Sequence, residues 1–272
     1  MHTNAIALRE IKMGFRNPWA YSFMALFSFF SFTLLLINTQ NFIEGYSSTT
    51  GTMLNLILYL LPLMTLLLGS FSLTGEKEEG SWQLLSTYPM STASFINGKY
   101  IGLTIVLLVI ISFGYGLIGI IGALIGKSFA FPVYILFFVF SMLLIFLFLA
   151  LALIVGTLAK NRWQALTFCV GIWFFTIIGW PMILISFLGL LPYLWIKPAL
   201  VCLTLMNPAE LVRLFVIVKL GGGSVLGPEY YQWVEWINHP SGILVFLWAC
   251  VMWVGFSIYL AVVLWERGRL RD

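Results

Sequence analysis

The stretch GEKEEGSWQLLSTYPMSTASFINGKY, at residues 75–100, decides how the rest of the chain is organised. It is the longest polar interval in the first two thirds of an otherwise very apolar chain. Apolar runs of spanning length lie on both sides of it, at residues 52–74 and 101–126. Because a membrane-crossing helix needs about 20 apolar residues, the stretch is predicted to connect two membrane spans.

The order of residues within this stretch predicts a short amphipathic helix. Ser81 is a suitable N-cap, and Pro89 cannot continue a helix. Trp82, Leu85 and Tyr88 share one face at helical spacing. Such a helix suits docking into a groove on a partner protein, although a merely polar hairpin between two spans explains the spacing equally well.

The composition is that of a polytopic membrane protein. Of 272 residues, 61% are hydrophobic and 9% are charged, which allows about six spans and no sizeable soluble domain. We therefore predict an all-α fold in a single transmembrane domain, residues 1–272. The net charge of +4 then bears on membrane orientation, and no nucleic acid partner is expected.

The chain opens with a predicted interfacial helix at residues 3–17, which we call the elbow helix. Arg9, Lys12 and Arg16 fall on one of its faces, and apolar side chains occupy a neighbouring face. A helix of this type lies in the membrane surface with its basic side toward lipid headgroups. The first span is predicted to follow at residues 19–37.

Two pairs of glycines at a spacing of four residues lie in the third predicted span. They are Gly98 with Gly102 and Gly122 with Gly126. Small residues at this spacing permit a neighbouring helix to approach closely. Generic helix packing explains them as well.

The apolar tract at residues 165–206 is too long for one span and is broken by Pro181, Pro192 and Pro198. By itself it fits two full spans, or one span and a re-entrant piece. The distribution of basic residues favours the second, because six spans with a cytoplasmic amino terminus place ten of the 14 inside. A seventh span would put the basic carboxyl-terminal tail outside. We predict six spans, both termini in the cytoplasm, and an external helical or re-entrant segment between the fifth and sixth spans.

The external segment, residues 189–241, is predicted to form a cap. Asn207 is a good N-cap, Pro208 suits the first helical position, and Glu210 completes a spacing like that of a capping box. The helix that follows has one apolar face, so we predict that it lies at the outer membrane surface. The cap is either a gate or docking place for an external partner, or a lid on the bundle.

Residues 75–100 also resemble the signature of the ABC type-2 permeases, the membrane subunits of ATP-driven transporters of the bacterial inner membrane. The resemblance is carried by Glu76, Glu78, Gly80, Ser81, Leu84, Leu85, Pro89, Gly98 and Lys99. It implies that the stretch is a cytoplasmic coupling helix seated in a cleft of a separate ATPase subunit, which binds ATP and magnesium. The residues predicted to couple to the ATPase are Glu76, Glu78, Glu79, Gly80, Ser81, Trp82, Leu84, Leu85, Tyr88 and Pro89. Since each chain has one such stretch, two ATPases require a homodimer.

Two further segments resemble one branch of this family, the NosY-like permeases of the copper-processing system that matures nitrous oxide reductase. They are residues 87–89 and the group Asn207, Pro208, Glu210 and Arg213, which we assign to an external gate or accessory protein. The alternatives are an exporter permease for a lipid, drug or peptide, and a membrane anchor that transmits movement without solute flux.

No catalytic constellation is found in the sequence. His2 and His239 fall on opposite sides of the membrane in the predicted topology, and the methionines and cysteines are scattered singly. Because copper paths need soft ligands held close together, we predict no metal site, no cofactor and no enzymatic activity in this chain. Charged residues fall at span ends or in loops, which argues against an ion-coupled carrier.

Overall fold

A computed structural model describes residues 2–38, 46–80, 91–125, 131–227 and 230–269. Within these ranges the chain is helical and contains no strand, which confirms the all-α prediction. The helices are α1 (His2–Gly14), α2 (Pro18–Asn38), α3 (Ser48–Glu78), α4 (Thr92–Ile125), α5 (Phe131–Leu158), α6 (Arg162–Trp173), α7 (Trp180–Leu190), α8 (Tyr193–Met206), α9 (Pro208–Lys219), α10 (Tyr231–Asn238) and α11 (Pro240–Arg269). A π-helical turn, Phe174–Gly179, joins α6 to α7, and a 3-10 turn, Gly222–Leu226, follows α9.

Five stretches of helix are long and apolar enough to cross a membrane: α3, α4, α5, the continuous α6–α7 and α11. The count rises to six if α8 and α9, which are bent by 114° at a short break, form one span. The 21-residue helix α2 lies where the first span is predicted. The chain is therefore a polytopic membrane protein, and the bent pair lies between α6–α7 and α11, where a re-entrant segment is predicted.

Helix α5 is the central element of the bundle. Phe140, Leu144 and Phe148 are fully buried on it, and α3 approaches it closely where both helices carry glycine. A Cβ added to Gly69 would lie 2.6 Å from the Cβ of Ala152. This contact distance makes glycine a packing requirement at that point.

The buried apolar side chains form three clusters. The main core runs through α2, α3, α4, α5, α6, α9 and α11. A small cluster that includes Leu73, Phe95 and Trp265 closes one end of the bundle. A third, which we call the cap cluster, closes the other end; its buried members are Leu184, Leu188, Leu200, Val218, Trp233 and Ile237.

Both ends of the described chain meet at the same end of the bundle. Helix α1 packs on the first turns of α4, and Trp265 near the end of α11 stacks on Phe95 of α4 with ring centroids 5.6 Å apart. We call this the charged end, because the acidic cluster at the end of α3 lies there. The side of the membrane that this end faces stays a prediction.

Helix α9 corrects one prediction. It does not lie on a surface, because nine of its 12 residues are buried between α5 and its neighbours. Two of its charged side chains bond inside the protein: Arg213 Nη2 donates to Glu210 at 2.6 Å, and Lys219 Nζ donates to the carbonyl of Ile237 at 3.2 Å. An amphipathic pattern whose polar residues pair with each other does not require water on that face.

Candidate functional site

The predicted coupling stretch begins on the last turn of α3 at the charged end. The α3 helix ends at Glu78, and Gly80 takes a left-handed conformation with φ of 67°. Glycine adopts this conformation without the steric cost that a Cβ brings. The residues that follow, among them Ser81, Trp82, Leu84, Leu85, Tyr88 and Pro89, lie outside the described residues, so their docking role stays a prediction.

Glu76 takes part in a buried cluster of charges that joins three helices. Lys99 of α4 is fully buried, and its Nζ lies 3.2 Å from Glu76 Oε1 and 2.9 Å from Glu10 Oε2 of α1. Arg9 Nη2 lies 3.0 Å from Glu76 Oε1. Ser72 completes the cluster, since its hydroxyl donates to Glu10 Oε1 and receives a bond of 2.7 Å from Lys99.

This cluster closes the base of the coupling stretch. Glu76 precedes residues 81–90 and Lys99 follows them, so their ion pair ties the two flanking helices together. Each of the two cations has a carboxylate beside it, and such matching is what allows charges to be buried. The ion pairs of Lys99 with Glu76 and Glu10 therefore join α3, α4 and α1 where the stretch begins and ends.

The glycine pair of α4 seats the elbow helix. A Cβ on Gly98 would lie 2.7 Å from the Cβ of Ile6 and 2.9 Å from the carbonyl oxygen of Thr3. A Cβ on Gly102 would lie 2.6 Å from the Cβ of Glu10. The pair thus serves contact with α1, and this close approach lets Glu10 reach Lys99. In the other predicted pair, Gly126 lies outside the described residues.

Lys77 binds the end of the central helix. Its Nζ donates to the carbonyls of Gly156, Thr157 and Ala159 at 3.0, 2.7 and 2.8 Å. Carbonyls in the last turn of a helix have no partner within the helix, and a cation there also opposes the negative end of the helix dipole. The same Nζ lies 5.0 Å from the ring centroid of Trp265. Lys77 thereby connects α3 with α5 and α11.

The last two acidic residues of the cluster bind the start of α6. Arg162 Nε lies 3.2 Å from Glu78 Oε2, and Arg162 Nη2 lies 3.3 Å from Glu79 Oε1. The backbone N–H of Arg162 also donates to Glu78 Oε1 at 2.7 Å, as suits a carboxylate at a helix amino terminus. These groups are partly exposed: 35% for the side chain of Glu78 and 64% for that of Glu79.

The four consecutive charged residues 76–79, at the end of α3, thus contact five other helices. Glu76 contacts charges of α1 and α4, Lys77 contacts α5 and α11, and the pair Glu78 and Glu79 contacts α6. Glu76 is 2% exposed, so its bonds are within the protein. The outer carboxylate, Glu79, is open to a second protein.

The four residues of the predicted external gate lie together at the start of α9. Asn207 caps the helix as predicted, because its Oδ1 accepts the N–H of Ala209 at 2.9 Å. Glu210 does not return a capping-box bond; its carboxylate accepts a bond from Arg213 instead. Pro208 occupies the start of the helix as expected. The gating role stays a prediction.

Sequence reasoning missed several members of the charged end. Glu10, Ser72 and Arg162 were not identified as site residues, because their partners lie between 27 and 89 positions away in the sequence. The buried pairs also place ionisable groups inside the helix bundle, although near its end. Among the described residues, no three His, Cys, Asp or Glu side chains are grouped so that they could hold a metal ion.

Comparison with known proteins agrees with the helical membrane architecture. The profile of the family described as ABC-2 family transporter protein matches residues 4–260. The chain belongs to this family, and it is a membrane permease subunit of an ABC transporter. The proteins of this family are membrane transport subunits and not catalytic enzymes. The family therefore implies a separate ATPase subunit as a partner.

Two relatives carry the same descriptive name, probable ABC transporter permease protein NosY. The relative from Stutzerimonas stutzeri is 26% identical over 272 residues, covering 96% of this chain and 97% of the relative. The relative from Pseudomonas aeruginosa is 28% identical over 275 residues, with the same two coverages of 96% and 97%.

Proposed function

We propose that this permease is driven by an ATPase that grips residues 81–90, and that it serves the maturation of the copper site of nitrous oxide reductase. The observation that carries the coupling part is the Glu76–Lys99 ion pair of 3.2 Å. It closes the base of the stretch, so that a force on the stretch acts on α3, α4 and α1 as one unit. ATP and magnesium are bound by the partner.

The charged end faces the cytoplasm in this proposal. The basic residues of the elbow helix, of α3, of the start of α4 and of the α5–α6 turn lie there, and basic residues favour the cytoplasmic side. An ATPase in the bacterial cytoplasm is then adjacent to the coupling stretch. The exposed Lys12 and Arg16 lie against anionic lipid headgroups of the inner membrane, while Arg9 pairs with Glu76.

The working unit is a homodimer with two ATPases. One chain provides one coupling stretch, while two ATPase subunits that close on ATP need two. The first and fifth predicted spans, α2 and α6–α7, form the dimer interface. In support, only 17% of the apolar window of Arg162–Leu190 is buried within one chain, which leaves most of its surface for a second copy or for lipid.

The copper role is supported by the similarity to the NosY-named permeases and by the residues at 87–89 and 207–213. The chain then passes ATP-driven movement, or a solute other than copper, to an external accessory protein on the cap. Deleting the gene in its host should leave nitrous oxide reductase produced but without its catalytic copper cluster. Normal maturation in that strain would leave general ABC export, of a lipid, drug or peptide, as the function.

The coupling role is tested by the double variant Leu84→Asp/Leu85→Asp. Two carboxylates on an apolar docking face should abolish copurification with the ATPase, while the protein remains in the membrane. The matched control is Lys160→Asp/Arg267→Asp, which introduces the same two residues at exposed positions of the charged end. Copurification of the first variant at the level of the control would contradict the assignment.

A further inference from the structure

The span α6–α7 contains a backbone carbonyl that its own helix does not satisfy. In the π-helical turn the N–H of Trp180 donates to the carbonyl of Phe175, five residues back. The next N–H in this register would serve the carbonyl of Thr176, but position 181 is a proline and has none. The Nδ2 group of Asn207 donates to that carbonyl instead, at 2.6 Å.

The same side chain caps α9. Asn207 Oδ1 accepts the N–H of Ala209 at 2.9 Å, while Nδ2 holds the π-helical turn, and the residue is 1% exposed. Asn207 also occupies the break at which the chain turns by 114° from α8 to α9. The buried side-chain amide of Asn207 therefore connects the π-helical turn between α6 and α7 to the break between α8 and α9.

The helices on the two sides of the π-helical turn, α6 and α7, pack against different parts of the protein. Helix α6 is fixed to α3 along its length: by Arg162 at the charged end, by Cys169, whose thiol lies 3.2 Å from Ser70 Oγ, and by Trp173, whose Nε1 donates to the carbonyl of Tyr59 at 2.7 Å. Beyond the π-helical turn, α7 leaves the main core, and its buried leucines pack in the cap cluster.

Helix α9 contributes buried side chains to both the main core and the cap cluster. Leu211 and Val212 lie in the main core, and Val218 lies in the cap cluster. π-helical turns are rare, occur mostly as single turns inside α-helices, and are frequent at functional sites. With a proline directly after it, the turn between α6 and α7 is a natural place for the span to bend.

We propose that Asn207 is the positioning residue through which movement of α6 reaches the cap cluster. Glu78 and Glu79 displace Arg162 and α6, the span bends at Phe174–Gly179, and the amide of Asn207 carries α9 with the turn. The inference rests on the proposed coupling to an ATPase. It adds the internal connection from the coupling stretch to the opposite end of the bundle.

The test uses Asn207→Ser in the permease–ATPase complex in lipid nanodiscs. Serine ranks with asparagine as an N-cap, is uncharged, and is too short to reach the carbonyl of Thr176. Asn161→Ser is the matched control, because Asn161 caps α6 by accepting the N–H of Gln164 at 2.8 Å but makes no bond to another helix among the described residues.

Movement of the cap is measured as a distance between two spin labels. They are placed at Lys12→Cys on α1 and Ser224→Cys in the 3-10 turn, with the exposed Cys202 replaced by serine. The distance distribution is compared without nucleotide and with ATP trapped by vanadate, and ATP hydrolysis is measured on the same samples. We expect Asn207→Ser to assemble and to hydrolyse ATP but to lose the ATP-dependent shift, while Asn161→Ser keeps it.

A full shift in Asn207→Ser would overturn the inference while leaving the proposed function in place. Absence of a shift in the unsubstituted complex would also overturn the inference, whereas the proposed coupling is judged separately by the copurification of Leu84→Asp/Leu85→Asp. If Asn207→Ser does not assemble, Pro181→Ala decides, because it restores an N–H that competes for the carbonyl of Thr176 without touching α9. A shift in Pro181→Ala that is smaller than that of the unsubstituted complex supports the proposed role of the Asn207–Thr176 bond. An unchanged shift rejects it.

Discussion

Replacing Lys99 by methionine tests whether the buried charge cluster holds the charged end together. The side chain of Lys99 is 0% exposed and those of Glu10 and Glu76 are 4% and 2% exposed. Methionine keeps an unbranched side chain that is one atom shorter and removes the charge, so two buried carboxylates remain with Arg9, which is 39% exposed. Loss of one partner from a buried ion pair costs about 3–5 kcal/mol in the free energy of unfolding.

The charge-balanced double variant Glu10→Gln/Lys99→Met separates electrostatics from packing. It removes one charge of each sign and leaves the 3.0 Å pair between Arg9 and Glu76 intact. Because neutral replacement of a buried pair is often without net cost, we expect a free energy of unfolding within about 1 kcal/mol of the unsubstituted protein. Arg162→Met is the comparison at a partly exposed site, where we expect a loss of about 1 kcal/mol or less.

The assay is unfolding in mixed micelles of a mild detergent with increasing dodecyl sulfate, followed by circular dichroism. The predicted order of stability is unsubstituted protein, then the double variant and Arg162→Met, then Lys99→Met well below them. If the double variant is as unstable as Lys99→Met, the cost lies in lost packing and the electrostatic argument is wrong. If Lys99→Met loses less than about 1 kcal/mol, the carboxylates are not held as the structure describes.

Three further predictions concern the same architecture. Gly98→Ala and Gly102→Ala should each lower the free energy of unfolding by about 1–3 kcal/mol, since the new Cβ would lie within 2.9 Å of α1. The control is Gly116→Ala, whose Cβ would have nothing within 4 Å, and it should be neutral or slightly stabilising in the same assay. Lys77→Met should cost roughly 1.5–3 kcal/mol by leaving carbonyls at the end of α5 without their charged donor, whereas Lys160→Met at an exposed position should change little, and equal midpoints for the two would refute the capping role. Tags at both termini should react only from the cytoplasm and a cysteine at Ser224 only from outside; labelling of the tags from opposite sides would contradict an even number of crossings.

The sequence was sufficient for features that depend on neighbours along the chain. Apolar runs of spanning length predicted the membrane helices, because a helix in lipid satisfies its own backbone and needs only an apolar exterior. Capping residues worked for the same reason: Asn207 and Pro208 act within one turn of the helix that they begin. The signature at residues 75–100 predicted the family, and the glycine spacing was compatible with a close helix contact as well as with generic packing.

Only the tertiary structure decided which helices these features join. Glu10 and Lys99 are 89 residues apart, and no local pattern relates them. The amphipathic period of α9 predicts a surface helix, but the helix is buried, with Glu210 and Arg213 forming an ion pair inside the protein. Likewise, the carbonyl freed by Pro181 finds its donor 31 positions from Thr176. Local sequence determines which segments form helices and which groups need partners, whereas the partners are chosen by the packing that brings distant segments together.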